Sequence, residues 1–470
     1  MGVGASYGVT SAELQSLVAS ALARAGIEVS EVSAVATIDT KAGEAAIQQL
    51  ATDFGVPLRS HPARVLDRTA APNPSFRVAA TVGTPSVAEA AALTCLPAAP
   101  GQMQPNIVEL LLPKTASPRA TVAIARHRFD PVDLHHHGDA ELSDGLLDLA
   151  VNVRPDPMPT WLVSAIGSAM QDLASYPNSD PATHAIARRH RRNRAEVLVT
   201  AGAAEAFSLI AQGLIRGRAL VVHPQFTEPE VALRAAGWQV ERLRLNSEDD
   251  FLFDPALVGD DADVVVIGNP TNPTGALHSR ESLLAVRRPG RVLIVDEAFM
   301  DAVPGESESL TGVEDLTGTL VVRSLTKTWG LAGLRIGYVV GDPALIERLD
   351  TMQPRWAVST PAIRAAVACM SDKAVAEAER RAAGLSTERE RLRIALLDKG
   401  FQIARRSEGP FLLVRHSECE ALHAELRKRG IAARRADTFP GLGLGWVRIS
   451  VRDRAATNQL LEALDRILTP

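Results

Sequence analysis

Apolar positions near the start of the chain recur at helical spacing. Leu14, Leu17, Val18, Leu22 and Ala25 follow a Thr10–Glu13 capping-box pattern, which predicts a helix opening just after Thr10. A strand-like run at 34–38 and a second helical stretch from Ala42 to Phe54 come next. Two further apolar runs, 107–112 and 121–125, flank the turn-prone segment Pro113–Pro118. The pattern describes a small α/β domain over residues 1–126.

Residues 127–145 lose this periodicity and carry His127, His135, His136, His137, Asp139, Glu141 and Asp144. No cysteine or carboxylate spacing supports a metal site there, so the stretch reads as a solvated linker. From Leu146 onward, strand-like and helix-like stretches alternate. The runs 197–200, 219–222, 263–267, 291–295 and 319–322 are short and almost wholly apolar, as expected of strands buried on both faces of a mainly parallel sheet. The remainder mixes long charged helices with strand-like runs at 411–415 and 446–451. The expectation is a unit over 146–470, with a large domain at about 176–344 and a small α/β domain made of 146–175 and 345–470.

Length and charge narrow the picture. A chain of 470 residues is too long for one hydrophobic core. With 46% hydrophobic and 22% charged residues, disordered and fibrous architectures are excluded. A formal net charge of -5 argues against nucleic acid or an anionic membrane as the main partner. The basic run from Arg188 to Arg194 therefore reads as a solvated helix face. Cys95, Cys369 and Cys419 lie far apart, which suits a reduced compartment. Neither a signal peptide nor an apolar run of membrane-spanning length is evident, and a soluble cytoplasmic protein is expected.

Four signals in the C-terminal unit carry chemistry, in a fixed order. At Thr200–Ala206 a strand ends, the chain turns at Gly202 and a helix begins, offering free N–H groups of Ala203 and Ala204 to a phosphate. The heptapeptide Asn269-Pro-Thr-Asn-Pro-Thr-Gly275 follows a strand and holds the Asn272 amide where open α/β sheets bind ligands. Asp296 ends another apolar run. The segment Arg323–Arg335 frames Lys327 with Ser324, Thr326, Gly330, Gly333 and Arg335. Together these supply an amine for an imine, a carboxylate to keep a pyridine nitrogen protonated, a donor to a ring hydroxyl and a phosphate cradle, as pyridoxal phosphate (PLP) chemistry requires.

In these motifs residues 146–470 resemble the fold type I aminotransferases, in particular the branch of histidinol-phosphate aminotransferases and threonine-phosphate decarboxylases. The resemblance implies that Lys327 carries the cofactor, Asp296 pairs with its pyridine nitrogen and Asn272 meets its ring hydroxyl. It assigns the phosphate to Ser324, Thr326, Arg335 and the turn Gly202–Ala204, and ring stacking to Phe226. Tyr176 matches a tyrosine that reaches the phosphate of a neighbouring subunit, which implies a homodimer. Arg448 occupies the place of the substrate-carboxylate arginine. Arg434 matches a second substrate arginine, with the adjacent Arg435 as the alternative. Asn152 and Arg154 stand in the substrate loop, where Asn-Val-Arg-Pro replaces the family's Asn-x-Asn-Pro. Phe299 stands where histidinol-phosphate aminotransferases carry a tyrosine, and Asp-Glu-Ala-Phe-Met-Asp is closer to the decarboxylases.

The motifs Gly2–Gly8, Ala36–Lys41, Val82–Val87 and Leu112–Lys114 resemble the C-terminal domain of the cobalamin-biosynthesis protein that opens the lactone of cobalt-precorrin-5A. Gly2, Gly4 and Gly8 do not form a dinucleotide fingerprint, and no strand is read ahead of them. A corrin intermediate is the expected ligand of this domain. The fusion and Phe299 favour a decarboxylase acting on threonine phosphate, with transamination of histidinol phosphate as the alternative. A purely regulatory PLP fold is disfavoured because Lys327 and Asp296 are both present.

Overall fold

A computed structural model describes the chain except for residues 68, 70, 95–105, 130–131, 405–406, 418–420, 444 and 469–470; the side chains of 30, 76–77, 106–109 and 127–129 are also outside the description. Cys95 and Cys419 lie outside the described residues. The chain divides into two compact units, Met1–Pro131 and Val132–Pro470.

The first unit is a five-stranded sheet in the order β3-β2-β1-β5-β4, formed by β1 (Gly2–Ala5), β2 (Val35–Ile38), β3 (Leu58–His61), β4 (Asn106–Ala116) and β5 (Ala120–Phe129). Strands β1 to β3 run parallel, and β5 is antiparallel to β1 and β4. The helix Ser11–Ala25 buries Leu14, Leu17, Val18 and Leu22 against Val3, Val35, Ile47 and Val122. Thr10 caps it by accepting from the Glu13 amide. The reciprocal half of the expected capping box does not form, because the Glu13 carboxylate accepts from Ser117 Oγ and the Arg119 amide instead. Gly2 and Gly4 lie within the central strand β1, while Gly8 stands in the turn after it. A Cβ on Gly2 would stand 2.0 Å from Ala88 O, so a close helix–strand approach requires that glycine.

The second unit holds two sheets. The larger is built from β7 (Val197–Thr200), β8 (Arg218–His223), β9 (Gln239–Arg244), β10 (Val264–Gly268), β11 (Val292–Asp296), β12 (Thr319–Ser324) and β13 (Gly337–Gly341), in the order β7-β13-β12-β11-β10-β8-β9. All pairs are parallel except those of β13 with β12 and β7. Strands β7 and β10 to β13 are buried nearly throughout, which is why they read as apolar runs. The smaller sheet has the order β14-β15-β17-β16-β6, from β6 (Leu147–Leu149), β14 (Gln402–Ile403), β15 (Phe411–Arg415), β16 (Ile431–Arg435) and β17 (Val447–Ser450).

The polar stretch after residue 131 is not a free linker. Thr227 Oγ1 donates to Leu134 O at 2.6 Å, His137 Nε2 lies 2.7 Å from Glu228, and the Glu141 carboxylate is buried between His136 and His423, 2.9 Å from each. His136 and His137 are spent on carboxylates of the same unit. The basic run is likewise partly tied down, through Arg189–Glu306 and Arg192–Glu196 ion pairs. No helix among the described residues is long and apolar enough to cross a membrane.

Candidate active site

Parallel strands release their C-terminal ends on one edge of a sheet, so β7, β10, β11 and β12 bring their following turns together. After β7, the turn at Gly202 opens the helix Ala203–Gly213, whose first amides have no helical acceptor. After β10 comes the Asn269–Gly275 loop, pinned by reciprocal bonds between the Asn269 side chain and the His278 backbone. Asp296 closes β11, and Ser324 closes β12 three positions before Lys327.

These groups are dry. Burial pushes the Asp296 carboxyl up to about 6, against the pull of the Ala298 amide and the Lys327 cation. Burial, then the Arg448 cation, pushes the Lys327 amine down to about 8, with Asp296 opposing. An amine so lowered is still mostly protonated at neutrality, but roughly a tenth of it is free as a nucleophile at pH 7, far more than for an exposed lysine. Its Nζ lies 5.7 Å from the centroid of the Phe299 ring, which stands edge-on to Phe411. Ser324 and Thr326 hydroxyls are buried 2.7 Å apart. Arg335 sits at φ 57°, a left-handed conformation that side chains rarely adopt, with its guanidinium against Gly202.

The substrate-side residues come from the smaller sheet. Arg448 is buried, donates through Nη1 to Asn272 Oδ1 at 2.6 Å and through Nη2 to Ala150 O, and has no acceptor for Nε. The Asn272 amide nitrogen is left free to donate. Arg434 lies directly opposite Arg448 across β16–β17, whereas Arg435 points to the other face and pairs with Asp437. The register thus selects Arg434. Its donors go to His136 O and Arg435 O, and burial lowers it to about 10. Asn152 Oδ1 accepts from Ser450 Oγ at 2.6 Å, leaving a buried, unpartnered amide nitrogen. The Arg154 amide donates to Lys327 O at 3.1 Å, while its guanidinium pairs with Asp156. A cavity of about 880 Å³ is lined by Lys327, Phe299, Asn152, Arg154 and Arg452 among others.

Phe226 is only partly buried, close to the His137 ring at 5.5 Å between centroids. Tyr176 does not join this cluster. It is 77% exposed and stacks on Trp356 with centroids 4.2 Å apart. The sequence reading missed the 132–141 segment, whose Asp139 is near enough to raise the proton affinity of Lys327. Its signal was the run of histidines and acids itself, which is dense for a free linker.

A buried lysine, a buried aspartate beside it, an amide donor and a hydroxyl–guanidinium–helix cradle define a PLP-dependent enzyme of fold type I. The residues fit the cofactor: Gly202 leaves open the space a Cβ would fill 2.8 Å from Arg335, at the mouth of the cradle. Lys327 and Asp296 would hold the aldehyde and pyridine ends, and the bound ring supplies an electron sink for bonds broken at the substrate Cα.

Comparison with known proteins agrees. The family model for aminotransferase class I and II matches residues 144–466, and that for the cobalamin synthesis G C-terminus matches residues 1–125. The chain belongs to the aminotransferase class I and II family, with the cobalamin-synthesis domain at its N-terminal end. A histidinol-phosphate aminotransferase of Mycobacterium bovis is 46% identical over 320 residues, 67% of this chain and 86% of that one. A threonine-phosphate decarboxylase of Salmonella typhimurium is 31% identical, covering 69% of this chain and 92% of its own. The crystal structure of the histidinol-phosphate aminotransferase from Clostridium acetobutylicum matches with a TM-score of 0.63 at 25% identity, over 69% of this chain and 99% of that chain.

Proposed function

We propose that the second unit is a threonine-phosphate decarboxylase that makes aminopropanol phosphate for cobalamin synthesis, working as a cytoplasmic homodimer. The observation that carries this is the presence, in one chain, of a PLP enzyme and a cobalamin-synthesis domain. Phe299 adds support: it has no hydroxyl to offer, and with Phe411 it makes an apolar wall beside Lys327. The N-terminal domain is proposed to bind a corrin intermediate.

In this reading Ser324, Thr326, Arg335 and the amides of Ala203 and Ala204 hold the cofactor phosphate. Phe226 covers the ring, and Tyr176 reaches the phosphate of the partner subunit. Arg448, backed by Arg434, takes an anionic group of the substrate, and Asn152 and Arg154 border its entry. Bound PLP would supply the electron sink for breaking a bond at the substrate Cα. Lys327 Nζ would move the proton at Cα, and the arginines, by how they orient the substrate carboxylate, would decide whether CO2 or that proton is lost.

The second reading, transamination of histidinol phosphate, is favoured by the Mycobacterium bovis relative at 46% identity. The test is to incubate the PLP-loaded protein with threonine phosphate, and separately with histidinol phosphate and 2-oxoglutarate, while following CO2 and glutamate. CO2 without glutamate is the expected result. Glutamate without CO2 would overturn the decarboxylase reading.

A further inference from the structure

One face of the smaller sheet carries two buried guanidiniums side by side. Arg448 on β17 lies directly opposite Arg434 on β16, and Leu413 of β15 lies opposite Arg448 on its other flank. Directly paired residues project to the same face, and so does Phe411, two positions before Leu413. The fully buried Phe411 ring thereby comes under Arg448, with the guanidinium carbon 5.4 Å from the ring centroid. Arg434 repeats the arrangement on Phe439, at 4.8 Å.

Two cations in adjacent register need compensation, and carboxylates supply little of it. Among the described residues no carboxylate lies within ion-pair distance of Arg448, and Arg434 has only Glu141, at 4.0 Å. That carboxylate spends its hydrogen bonds on His136, His423 and the Arg435 amide. The acceptors of both guanidiniums are neutral: Ala150 O and Asn272 Oδ1 for Arg448, His136 O and Arg435 O for Arg434. The Arg448 Nε–H is buried with no acceptor at all. Arg323, also buried, sits among the carboxylates of Glu297, Asp301 and Glu306. In contrast, Arg448 and Arg434 are held by dipoles and aromatic faces that fix the guanidinium plane without cancelling its charge.

We propose that Phe411 and Phe439 are positioning residues for anion recognition, holding Arg448 and Arg434 on their ring faces so that the pair meets the acidic group of an amino-acid substrate with its charge uncommitted. This rests on the reading of Arg448 as a substrate arginine. It adds that the ring faces, not only the apolar bulk, set the affinity for the anion. Phe411 has a further tie to the chemistry, since it meets Phe299 edge-on at 5.1 Å between centroids. It thus bridges the wall beside Lys327 and the floor under Arg448.

The test uses the full chain loaded with PLP and two probes. Succinate, an unreactive dicarboxylate, is titrated by its effect on the cofactor absorbance, and threonine phosphate is followed as turnover. Phe411→Leu keeps an apolar side chain of similar reach and removes the π face; Phe439→Leu does the same for Arg434, and Phe411→Tyr restores a face. The expected result for each Leu variant is a succinate dissociation constant raised about tenfold, the scale of a desolvated cation–π contact. KM for threonine phosphate rises in parallel, the PLP dissociation constant stays within about twofold, kcat stays within about twofold in Phe439→Leu, and Phe411→Tyr recovers the succinate affinity.

Leu variants that bind succinate as the unaltered protein does, or that lose PLP in parallel with succinate, overturn the proposal. So does an unaltered protein with no affinity for succinate or threonine phosphate. If Phe411→Leu does not fold, Phe439→Leu carries the same comparison from a separate segment. Absence of threonine-phosphate turnover alongside intact, Phe411-dependent succinate binding removes the decarboxylase reading and leaves this inference standing.

Discussion

Gly202 offers a quantitative test of the phosphate cradle. Its backbone is at φ 84°, ψ 169°, a region open in practice only to glycine. Alanine there costs about 1–3 kcal/mol of backbone strain. That cost is present with or without cofactor, so it lowers the melting temperature of the PLP-free protein. A second effect is local. The new Cβ would lie 2.8 Å from an Arg335 terminal nitrogen, inside van der Waals contact, and the guanidinium, as the far end of a flexible side chain, gives way. If Arg335 binds the cofactor phosphate, displacing it removes a charge-assisted hydrogen bond worth about 1.5–3 kcal/mol, or roughly 10- to 150-fold in the PLP dissociation constant. The two effects separate experimentally: calorimetry of the cofactor-free protein reads the strain, and PLP titration by absorbance reads the lost contact. Arg335→Gln, which leaves Gly202 untouched, is expected to weaken PLP by a similar factor at a smaller thermal cost. A Gly202→Ala protein that melts earlier yet binds PLP within twofold of the unaltered chain would refute the cradle.

Three further outcomes are expected. Lys327 has a folded pKa of about 8 against 10.5 when free, so its burial costs stability fully below pH 8 and not at all above about pH 10.5. Lys327→Met should therefore stabilise the cofactor-free protein by up to roughly 3 kcal/mol near pH 7, less what Asp296 loses with its counter-charge, in urea melts whose gain vanishes above pH 10.5. Equal gains at pH 7 and pH 11 would contradict this. Asp296→Asn should leave the fold intact and lower kcat by about 10²- to 10⁴-fold, the scale for removing one partner of a buried ion pair; a loss under tenfold would take Asp296 off the pyridine nitrogen. Val163, Met170, Leu173, Tyr176 and Trp356 are large exposed apolar side chains, and Tyr176 stacks on Trp356. If these side chains cover the proposed homodimer interface, Leu173→Asp should convert a dimer to monomers in sedimentation and weaken PLP by removing the Tyr176 contact; an unchanged sedimentation profile counts against that interface.

Which parts of the molecule were legible follows from how local each signal is. Asn272, Asp296, Ser324, Thr326 and Lys327 were legible because each ends an apolar strand or sits in the turn directly after one, and parallel pairing then gathers those ends; Arg335 was read from its motif, lying just before β13. Strand β9 escaped notice because it lies at the sheet edge with alternating exposure, and β13 because it is a short run closed by glycines. Gly337 is there because a Cβ would meet Arg323 O at 2.8 Å and Ala203 N at 3.0 Å, contacts between segments far apart in sequence. The 132–141 segment was misread for the same reason, since Glu141 meets His423 across 282 positions and nothing local marks that pairing.

The arginine pair shows where sequence reasoning stops in physical terms. A strand over 431–435 presents alternate residues to opposite faces, so Arg434 and Arg435 differ in role entirely through register. Composition and motif place both at the same spot and cannot choose. Pairing with β17 decides it: Arg434 opposes Arg448 and is buried on Phe439, while Arg435 opposes Val447 and turns out to Asp437. The consequence is a measurable asymmetry between neighbours. Arg435→Gln removes only an exposed ion pair and should leave KM within about twofold, because such pairs contribute about 0–1 kcal/mol. Arg434→Gln should raise KM by about tenfold or more, since it takes one of two buried charges from the anion site. Equal effects from the two substitutions would mean that the register, and with it the anion site built on it, is wrong.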